Sequence, residues 1–536
     1  MARSTDSELI VIPITDNEEA TKARYEIERA TIDCAEWQLV AGDALVATLS
    51  RDNFEFSVEW GKLIFAWWDE DRSQSWRVTA YEIDRAELRL QATRGMAREL
   101  AILTLRDPVK WREVRELESL SLGERRKLYA KLLAQLITGK FDGAKVQRAT
   151  TGAGRTRSVA GRYARLPVKL GGETILTIGA GEAESQADVD GVIAAGLVWL
   201  AGFNGSREEK RRAKRLWFCL PLRRSQTAIE RLTLIDASHL GARIEGFEVD
   251  ESGEAITPLH PATQDELLNA HPREVIWPGV SPATEKWRER ILSLAPDLIE
   301  ARRRAGRDDE SFAINGLEFA RASGGDNPKV KFGVAGLHSE DETTNLFTLA
   351  ESNFGELERL VREIVEYRSP DSADRRHPFY RLRAEAWLES LLRRNLGEFD
   401  ATLDDRFVYS QIPTWRGDER SVIDLLTVNH EGRLAVIEIK AAEDPQLPLQ
   451  GLDYWLRVEQ ARLRREFKKR DLFAGIEIAG EPPLLYLVAP RLRFHRTFAI
   501  VARCIASQIE AYQIGLNANW REGLRVHSRE RVNFKE

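Results

Sequence analysis

Cysteine is nearly missing: the 536 residues hold three, Cys34, Cys219 and Cys504. They are odd in number, far apart and set in apolar surroundings. That excludes a disulfide framework and a cysteine zinc motif, and it implies buried free thiols in a reducing cytoplasm. Histidine occurs only eight times, and His377, His430 and His495 do not form a metal cluster. No complete phosphate-binding loop occurs. Gly152–Gly154 and Gly179–Gly181 are GxG pairs without the Lys-Ser/Thr that such a loop needs, so any motor belongs to another protein. The start, MARSTDSELIVIP, lacks the basic-then-apolar order of a signal peptide. No apolar run approaches the roughly 20 residues that span a bilayer, so no membrane partner is expected. A basic excess is also missing, since the net charge is −6, which does not mark the whole chain as a nucleic-acid binder.

What is present describes an ordinary multidomain chain, 43% hydrophobic and 31% charged, able to bury several cores. The charge is uneven. From Arg375 onward there are 27 Lys+Arg against 23 Asp+Glu, a net of +4, which leaves −10 on the rest. A basic final third permits a polyanionic partner there.

Residues 1–110 read as a β-rich domain: short apolar runs such as FEFSVEW, KLIFAWW and WRVTAYEI, separated by turn residues, predict an antiparallel sheet or small barrel. Trp60, Trp67, Trp68 and Trp76 cluster here, and core packing outweighs base stacking as their role. Residues 111–215 read as mixed α/β. Pro108–Gly139 reads as helical, with Leu128, Leu132, Leu133 and Leu136 at helical spacing after the start signal SLGE at 121–124, a basic loop carries Arg155, Arg157, Arg162 and Arg165, a hairpin turns at Gly171–Gly172, and an apolar helix runs over Asp188–Ala201. The run Arg207–Arg215 carries both signs and reads as a solvated face. Residues 216–370 predict a strand at Leu216–Leu222, a strand at Arg231–Ile235, a helix at Pro261–Leu268, a helix over Pro282–Gly306 ending in Arg302, Arg303 and Arg304, and a helix over Leu346–Tyr367. The aperiodic stretch RSPDSADRR (368–376) reads as a linker, so a last domain is placed at 375–536.

The most informative stretch is SVIDLLTVNHEGRLAVIEIKAA, from Ser421 to Ala442. Two β-branched runs flank a polar turn at Asn429–Gly432, which is a hairpin pattern. A turn centred on Glu431 sets Asp424 opposite Glu438, and Lys440 shares the face of Glu438 because side chains alternate along a strand. Two acids and a lysine among Leu and Ile are costly unless a metal or a tight ion pair compensates. Around the hairpin the spacing predicts an amphipathic helix with Glu385 beside Trp387, Leu388, Leu391 and Leu392, strands at Phe407–Trp415, a helix Gln450–Glu466, a buried strand Pro483–Ala489 and a closing helix Phe498–Ile514. The order is α-β-β-β-α-β-α. The helix, hairpin, helix order of 120–201 faintly echoes it, without an acid-x-Lys on the second strand, and ordinary mixed α/β structure outweighs a degenerate second copy as its reading.

On these residues the last 160 resemble the PD-(D/E)XK nuclease superfamily, with its restriction-endonuclease-like fold. The matching features are the helix acid Glu385, Asp424 in VIDLL, Glu438-Ile439-Lys440, and Gln450 four residues before Tyr454 on the next helix. Ile423 replaces the family's proline. The resemblance implies a Mg²⁺- or Mn²⁺-dependent nuclease acting on nucleic acid, DNA by analogy, in repair or phage defence. It assigns Asp424, Glu438 and the Ile439 carbonyl to the metal, Lys440 to the attacking water or the phosphorane, Glu385 to a second ion or a metal-bound water, with Glu389 one turn on as the alternative to it, and Gln450 to the substrate phosphate or water. Arg381, Arg383, Arg462, Arg465, Lys468 and Tyr454 are candidate nucleic-acid contacts. A homo-oligomer is compatible with the sequence. The rival reading is a non-cleaving nucleic-acid-binding or scaffolding protein on the same fold. The first 370 residues resemble no family and would recognise substrate or regulate.

Overall fold

The computed structural model describes residues 12–533 except 33, 43, 70–71, 85, 95–98, 153–158, 206, 261–262, 270–284, 304–308, 324–328, 336–345, 417–418 and 470–471. Arg155, Arg157, Arg304 and the start of the first apolar run lie outside them. The protein is a mixed α/β chain with several sheets, and it divides into two compact units, residues 1–125 and 126–536.

The first unit is an antiparallel sheet in the order Ala44–Ser50, Glu36–Ala41, Glu99–Arg106, Glu87–Arg94, Ser73–Ile83, Lys62–Trp68, Phe54–Glu59. A helix the sequence did not announce, Asn17–Thr31, packs on the strands Phe54–Glu59 and Lys62–Trp68. Its buried face is Ala20, Ala23, Ile27 and Thr31. The spacing is helical, but two alanines and a threonine carry too little apolar contrast to stand out from NEEATKARYEIERAT. Asp16 caps it by accepting from the Glu19 amide at 2.8 Å. Trp67 and Trp76 are core residues, whereas Trp60 is 97% exposed. The start signal at 121–124 is a capping box, with Ser121 Oγ and Glu124 Oε2 2.6 Å apart.

The second unit contains one topology twice. The first copy runs α1 (Leu122–Lys140), β1 (Lys145–Val146), β2 (Ala164–Leu170), β3 (Glu173–Gly179), α2 (Gln186–Gly205), β4 (Ala213–Pro221), α3 (Gln226–Thr233), β5 (Arg243–Asp250) and β6 (Ala255–Pro258). A five-stranded antiparallel meander follows: β7 (Ile299–Arg303), β8 (Asp309–Ile314), β9 (Leu317–Ser323), β10 (Lys329–Phe332) and β11 (Phe347–Thr348), with α4 (Phe354–Tyr367) on its core. The second copy then runs α5 (Ala384–Arg394), β12 (Tyr409–Arg416), β13 (Glu419–Val428), β14 (Leu434–Ile439), α6 (Leu447–Leu463), β15 (Leu484–Pro490), α7 (Phe498–Ala502), β16 (Ala511–Leu516) and β17 (Val526–Arg531).

The sheets β1–β6 and β12–β17 each follow chain order, and their six strands repeat the same directions. The first three are mutually antiparallel, the third, fourth and fifth are parallel, and the sixth is antiparallel again. Helices cross over between parallel strands at the same places, as parallel connections require. The echo seen over 120–201 therefore extends to residue 258. The copies meet around a local two-fold axis. α2 packs on α7 and α6 packs on α3. After α3 and α7 the chains exchange a reciprocal pair of hydrogen bonds, Asp236 amide to Cys504 carbonyl (2.6 Å) and Ala506 amide to Leu234 carbonyl (2.9 Å), about the antiparallel bridge Ile235–Ile505. Their facing sides share one apolar core, including Leu176, Ile178, Leu216 and Phe218 from one copy and Val436, Leu485, Leu487 and Trp455 from the other.

Five expected elements differ. The helix expected over Pro108–Gly139 is two, Pro108–Ser119 and Leu122–Lys140, parted where Ser121 starts a new capping box. Arg231–Ile235 is the end of a helix and its exit, because Arg231 is drawn inward to Asp453. Pro282–Gly306 is a short helix Glu285–Leu292 and then β7, whose Glu300 and Arg302 engage α5. Leu346–Tyr367 starts with β11 and becomes helical only at Phe354. The closing helix stops at Ala502, and Ala511–Leu516 pairs in parallel with β15. The observed order thus adds two strands to α-β-β-β-α-β-α. The linker-like stretch 368–376 lies inside the second unit, with Arg368 buried and donating to the carbonyls of Asn315, Phe379, Leu382 and Arg383. All three cysteines are free and buried.

Contrary to the expectation that no run is long enough, α2 is, by length and composition, able to cross a membrane. It is the central helix of the first copy, and Val189, Val192, Ile193, Leu197 and Leu200 are buried in the shared core.

Candidate active site

β14 is buried along its whole length, from Leu434 to Ile439. Leu434 and Val436 face the shared core, while Ala435, Ile437 and Ile439 face a second core under α5. Strand alternation carries Glu438 onto the shared-core side at 1% exposure. The hairpin pairs Leu425 with Ile437 and Val428 with Leu434, so one further step sets Asp424 opposite Glu438, as the sequence implies. The turn holds this register. Gly432 has φ +85°, and a Cβ there would lie 2.0 Å from the Glu477 carbonyl oxygen, so only glycine fits.

Asp424 is half-buried, and its Oδ2 accepts from the Ile439 amide at 2.9 Å. Lys440 Nζ donates to Glu438 Oε1 at 2.9 Å, and the Lys440 amide is tied to the Val488 carbonyl at 2.9 Å. Asp424 and Glu438 are close enough to share a hydrogen bond. Burial pushes Asp424 up to about 6, against the pull of Lys440. Burial, reinforced by the Asp424 charge, pushes Glu438 well above the carboxylate range. Two facing carboxyl groups in a dry site cannot both ionise without a compensating cation. Burial lowers Lys440, but Glu438 and Asp424 outweigh it, and the ammonium is held charged. Glu438 Oε2 is buried, and apart from the facing Asp424 no described group is placed to bond it.

The start of α6 lies over this pair, because a Cβ on Gly451 would sit 3.6 Å from Glu438 Cβ. Gln450 precedes Gly451 on that turn, and its Oε1 is buried without a partner. Tyr454, one turn on, is buried, with its hydroxyl 2.8 Å from Ser421 Oγ. That hydroxyl is spent on the hairpin, and the ring is core rather than a surface on which a base could stack. Glu385 is exposed in the first turn of α5, and its charge is felt by both Asp424 and Lys440.

Glu389, the alternative to Glu385 one turn on, is the more tightly held of the two. It is 2% exposed, and Asp424 acts on it electrostatically. Arg302 Nη1 approaches its Oε2 to 3.2 Å, and Gln411 Nε2 donates to the same oxygen at 3.2 Å. Arg302 also grips Glu300 at 2.9 Å, and Glu300 accepts from Ser390 and Arg393. A charge next to the apolar stripe of α5 was the available signal. Its cation comes from β7, far upstream, which no local pattern connects to it.

The basic candidates are dispersed. Arg381 and Arg383 are exposed at the entrance to α5, on the side of Glu385. Arg462 is engaged by Glu459 through two contacts, at 2.6 and 2.7 Å. Arg465 and Lys468 are exposed, but they lie past the end of α6, and Arg462 sits in its last turn, about 18 Å along the axis from Gln450. Arg470 lies outside the described residues. Among the described residues no group of three or more His, Cys, Asp or Glu side chains gathers as a metal cage.

The first copy shows what the same frame looks like without these groups. In α2 a Cβ on Gly196 would lie 2.4 Å from Phe218 and 3.0 Å from Ile178. In α6 a Cβ on Gly451 would lie 2.5 Å from Leu487 and 3.6 Å from Glu438. Phe218 pairs with Ile178 and Leu487 pairs with Glu438, so the two glycines mark equivalent points. Ile178 thus stands where Glu438 does, Ala180 where Lys440 does, and Ala195 where Gln450 does. Arg165, the ladder partner of Ile178, takes the place of Asp424. Its Nη2 is bound to the Gly152 carbonyl at 2.7 Å.

A search of protein-family models returns no match to the chain, and a search of the curated proteins returns none either.

Proposed function

We propose that the chain is a divalent-metal-dependent nuclease of the PD-(D/E)XK type, with its single centre at Asp424, Glu438 and Lys440 on a restriction-endonuclease-like frame. The observation that carries the reading is the facing pair of carboxyl groups, half-buried Asp424 and buried Glu438, close enough to share a proton and flanked by the single ammonium of Lys440. That pair fits a hard dication such as Mg²⁺ or Mn²⁺, to which oxygen ligands are suited, with the Ile439 carbonyl as the third protein ligand. Bound there, the ion supplies an acidified water and relief of phosphate charge.

The protein's own groups have separable tasks. Asp424, oriented by the Ile439 amide, and Glu438 hold negative charge once a cation is present. Lys440 stays protonated, so it acts as an electrostatic clamp on the phosphate and on the water, not as a base. Gln450 offers a carbonyl oxygen and an amide beside the pair and orients water or substrate. Glu385, exposed in the first turn of α5 and electrostatically coupled to Asp424 and Lys440, would orient water for the reaction. Glu389, braced by Arg302 and Gln411, keeps α5 and Asp424 in register as a positioning residue. Arg381 and Arg383 flank the entrance and contact the nucleic-acid backbone, while Arg465 and Lys468 serve only a substrate long enough to follow α6. DNA is the favoured polyanion by resemblance alone. The buried thiols suit a reducing cytoplasm.

The test is cleavage of single-stranded, double-stranded and branched DNA and of RNA, with Mg²⁺, Mn²⁺ or EDTA. Metal-dependent cleavage that is lost in both Lys440→Ala and Asp424→Ala is the expected result. Binding without cleavage would favour the scaffolding alternative. Neither binding nor cleavage would leave the hairpin acids as a structural ion pair.

A further inference from the structure

Resting on the nuclease reading, we propose that the substrate is duplex nucleic acid and that one chain cuts only one of its strands, a nicking activity. Two observations independent of the site chemistry lead there. The first is the local two-fold axis at Ile235–Ile505, with α2 on α7 and α6 on α3. A scaffold with two-fold symmetry matches the dyad that relates the strands of a duplex, as paired half-sites do in dimeric DNA-binding proteins. A single strand has no such dyad, and a two-copy frame would offer it only one usable half.

The second observation is the asymmetry of the halves. Ile178, Ala180 and Ala195 replace Glu438, Lys440 and Gln450, and Ile178, Ala180 and Ala195 are each 1% exposed or less. Arg165 replaces Asp424, and the nearby Arg148 adds to the positive field. A guanidinium beside an isoleucine repels a dication, and among the described residues the positions equivalent to Asp424 and Glu438 hold no carboxylate. The first copy keeps the packing and connectivity of its partner and has lost its chemistry.

The reaction is then counted in bonds. Hydrolysis at one phosphodiester consumes one water. A new P–O bond forms from the water oxygen, one P–O ester bond breaks, and the departing oxygen takes the proton, leaving a phosphate monoester and a hydroxyl. One centre performs this once per encounter, and severing the second strand needs a second encounter or a second chain.

Supercoiled plasmid with Mn²⁺ and the full-length protein reads this directly. Conversion of all supercoiled DNA to open circle before linear DNA is detectable, at a rate proportional to protein concentration, is the expected result. Linear DNA as the first product, or a rate that rises with the square of protein concentration, would overturn the proposal. If oligonucleotides are cut but the plasmid is untouched, the duplex assignment fails while the nuclease reading stands. If nothing is cut, both fail.

Discussion

Asp424→Asn is expected to make the metal-free protein more stable and catalytically silent at once. The sign follows from linkage. Folding raises the Asp424 carboxyl from 3.8 to about 6, so the native state holds its proton more tightly than the unfolded chain. Below about pH 4 both states are protonated and there is no penalty. Between roughly pH 4 and 6 the unfolded chain ionises first, and stability falls. Above 6 the penalty is constant, at most about 3 kcal/mol at 1.36 kcal/mol per pKa unit. Asparagine still accepts from the Ile439 amide and removes the ionisation. In EDTA at pH 7.5 the thermal midpoint should rise by about 1–3 °C for a unit of this size, and at pH 4 it should be unchanged. In Mn²⁺ the order should invert, because only the wild type gains the stabilisation that ligand binding confers. A lower midpoint for the variant in EDTA at pH 7.5 would mean that the attraction to Lys440 outweighs desolvation and that the acids are a structural pair.

Arg231→Ala is expected to cost the most stability of any single change at the junction of the copies. Arg231 is 1% exposed. It donates to Asp453 at 2.9 and 2.7 Å and to the Asp190 carbonyl at 2.6 Å, joining α3 to α6 and α2. Truncation strands Asp453, itself 4% exposed, as an unpaired buried charge. Breaking such a pair costs about 3–5 kcal/mol, whereas replacing both partners with well-packed apolar residues is often neutral. Chemical denaturation should therefore show a large loss for Arg231→Ala and recovery of most of it in Arg231→Met with Asp453→Leu. Failure of the double variant to recover would mean that the guanidinium bond to the Asp190 carbonyl carries the junction.

The hairpin at 421–442 was legible because its information is local. The turn, the alternation and the opposed acids lie within about twenty residues, and strand geometry converts spacing into facing. The repeat was half legible. Its helix–hairpin–helix order is local, but the two-fold bridge at Ile235–Ile505 joins residues far apart in sequence, and Arg231 read as part of a strand because its partner is on α6. The same limit left Glu389 only an alternative to Glu385, because its cation lies on β7. Helix Asn17–Thr31 was missed for a different reason: alanine at its buried positions gives the apolar period little amplitude. The tail was misread because Phe498–Ile514 is apolar enough for either a helix or a strand, and the parallel edge offered by β15 decides it.

The most direct test is anomalous diffraction from crystals of the full-length protein soaked in Mn²⁺, at concentrations that support cleavage. One peak per chain between the Asp424 and Glu438 carboxylates, absent in Glu438→Gln, with none near Ile178 in the first copy, is the expected result. A peak at both hairpins, or an ion bound elsewhere while Asp424 and Glu438 stay paired with Lys440, would contradict the assignment of a single centre to the second copy.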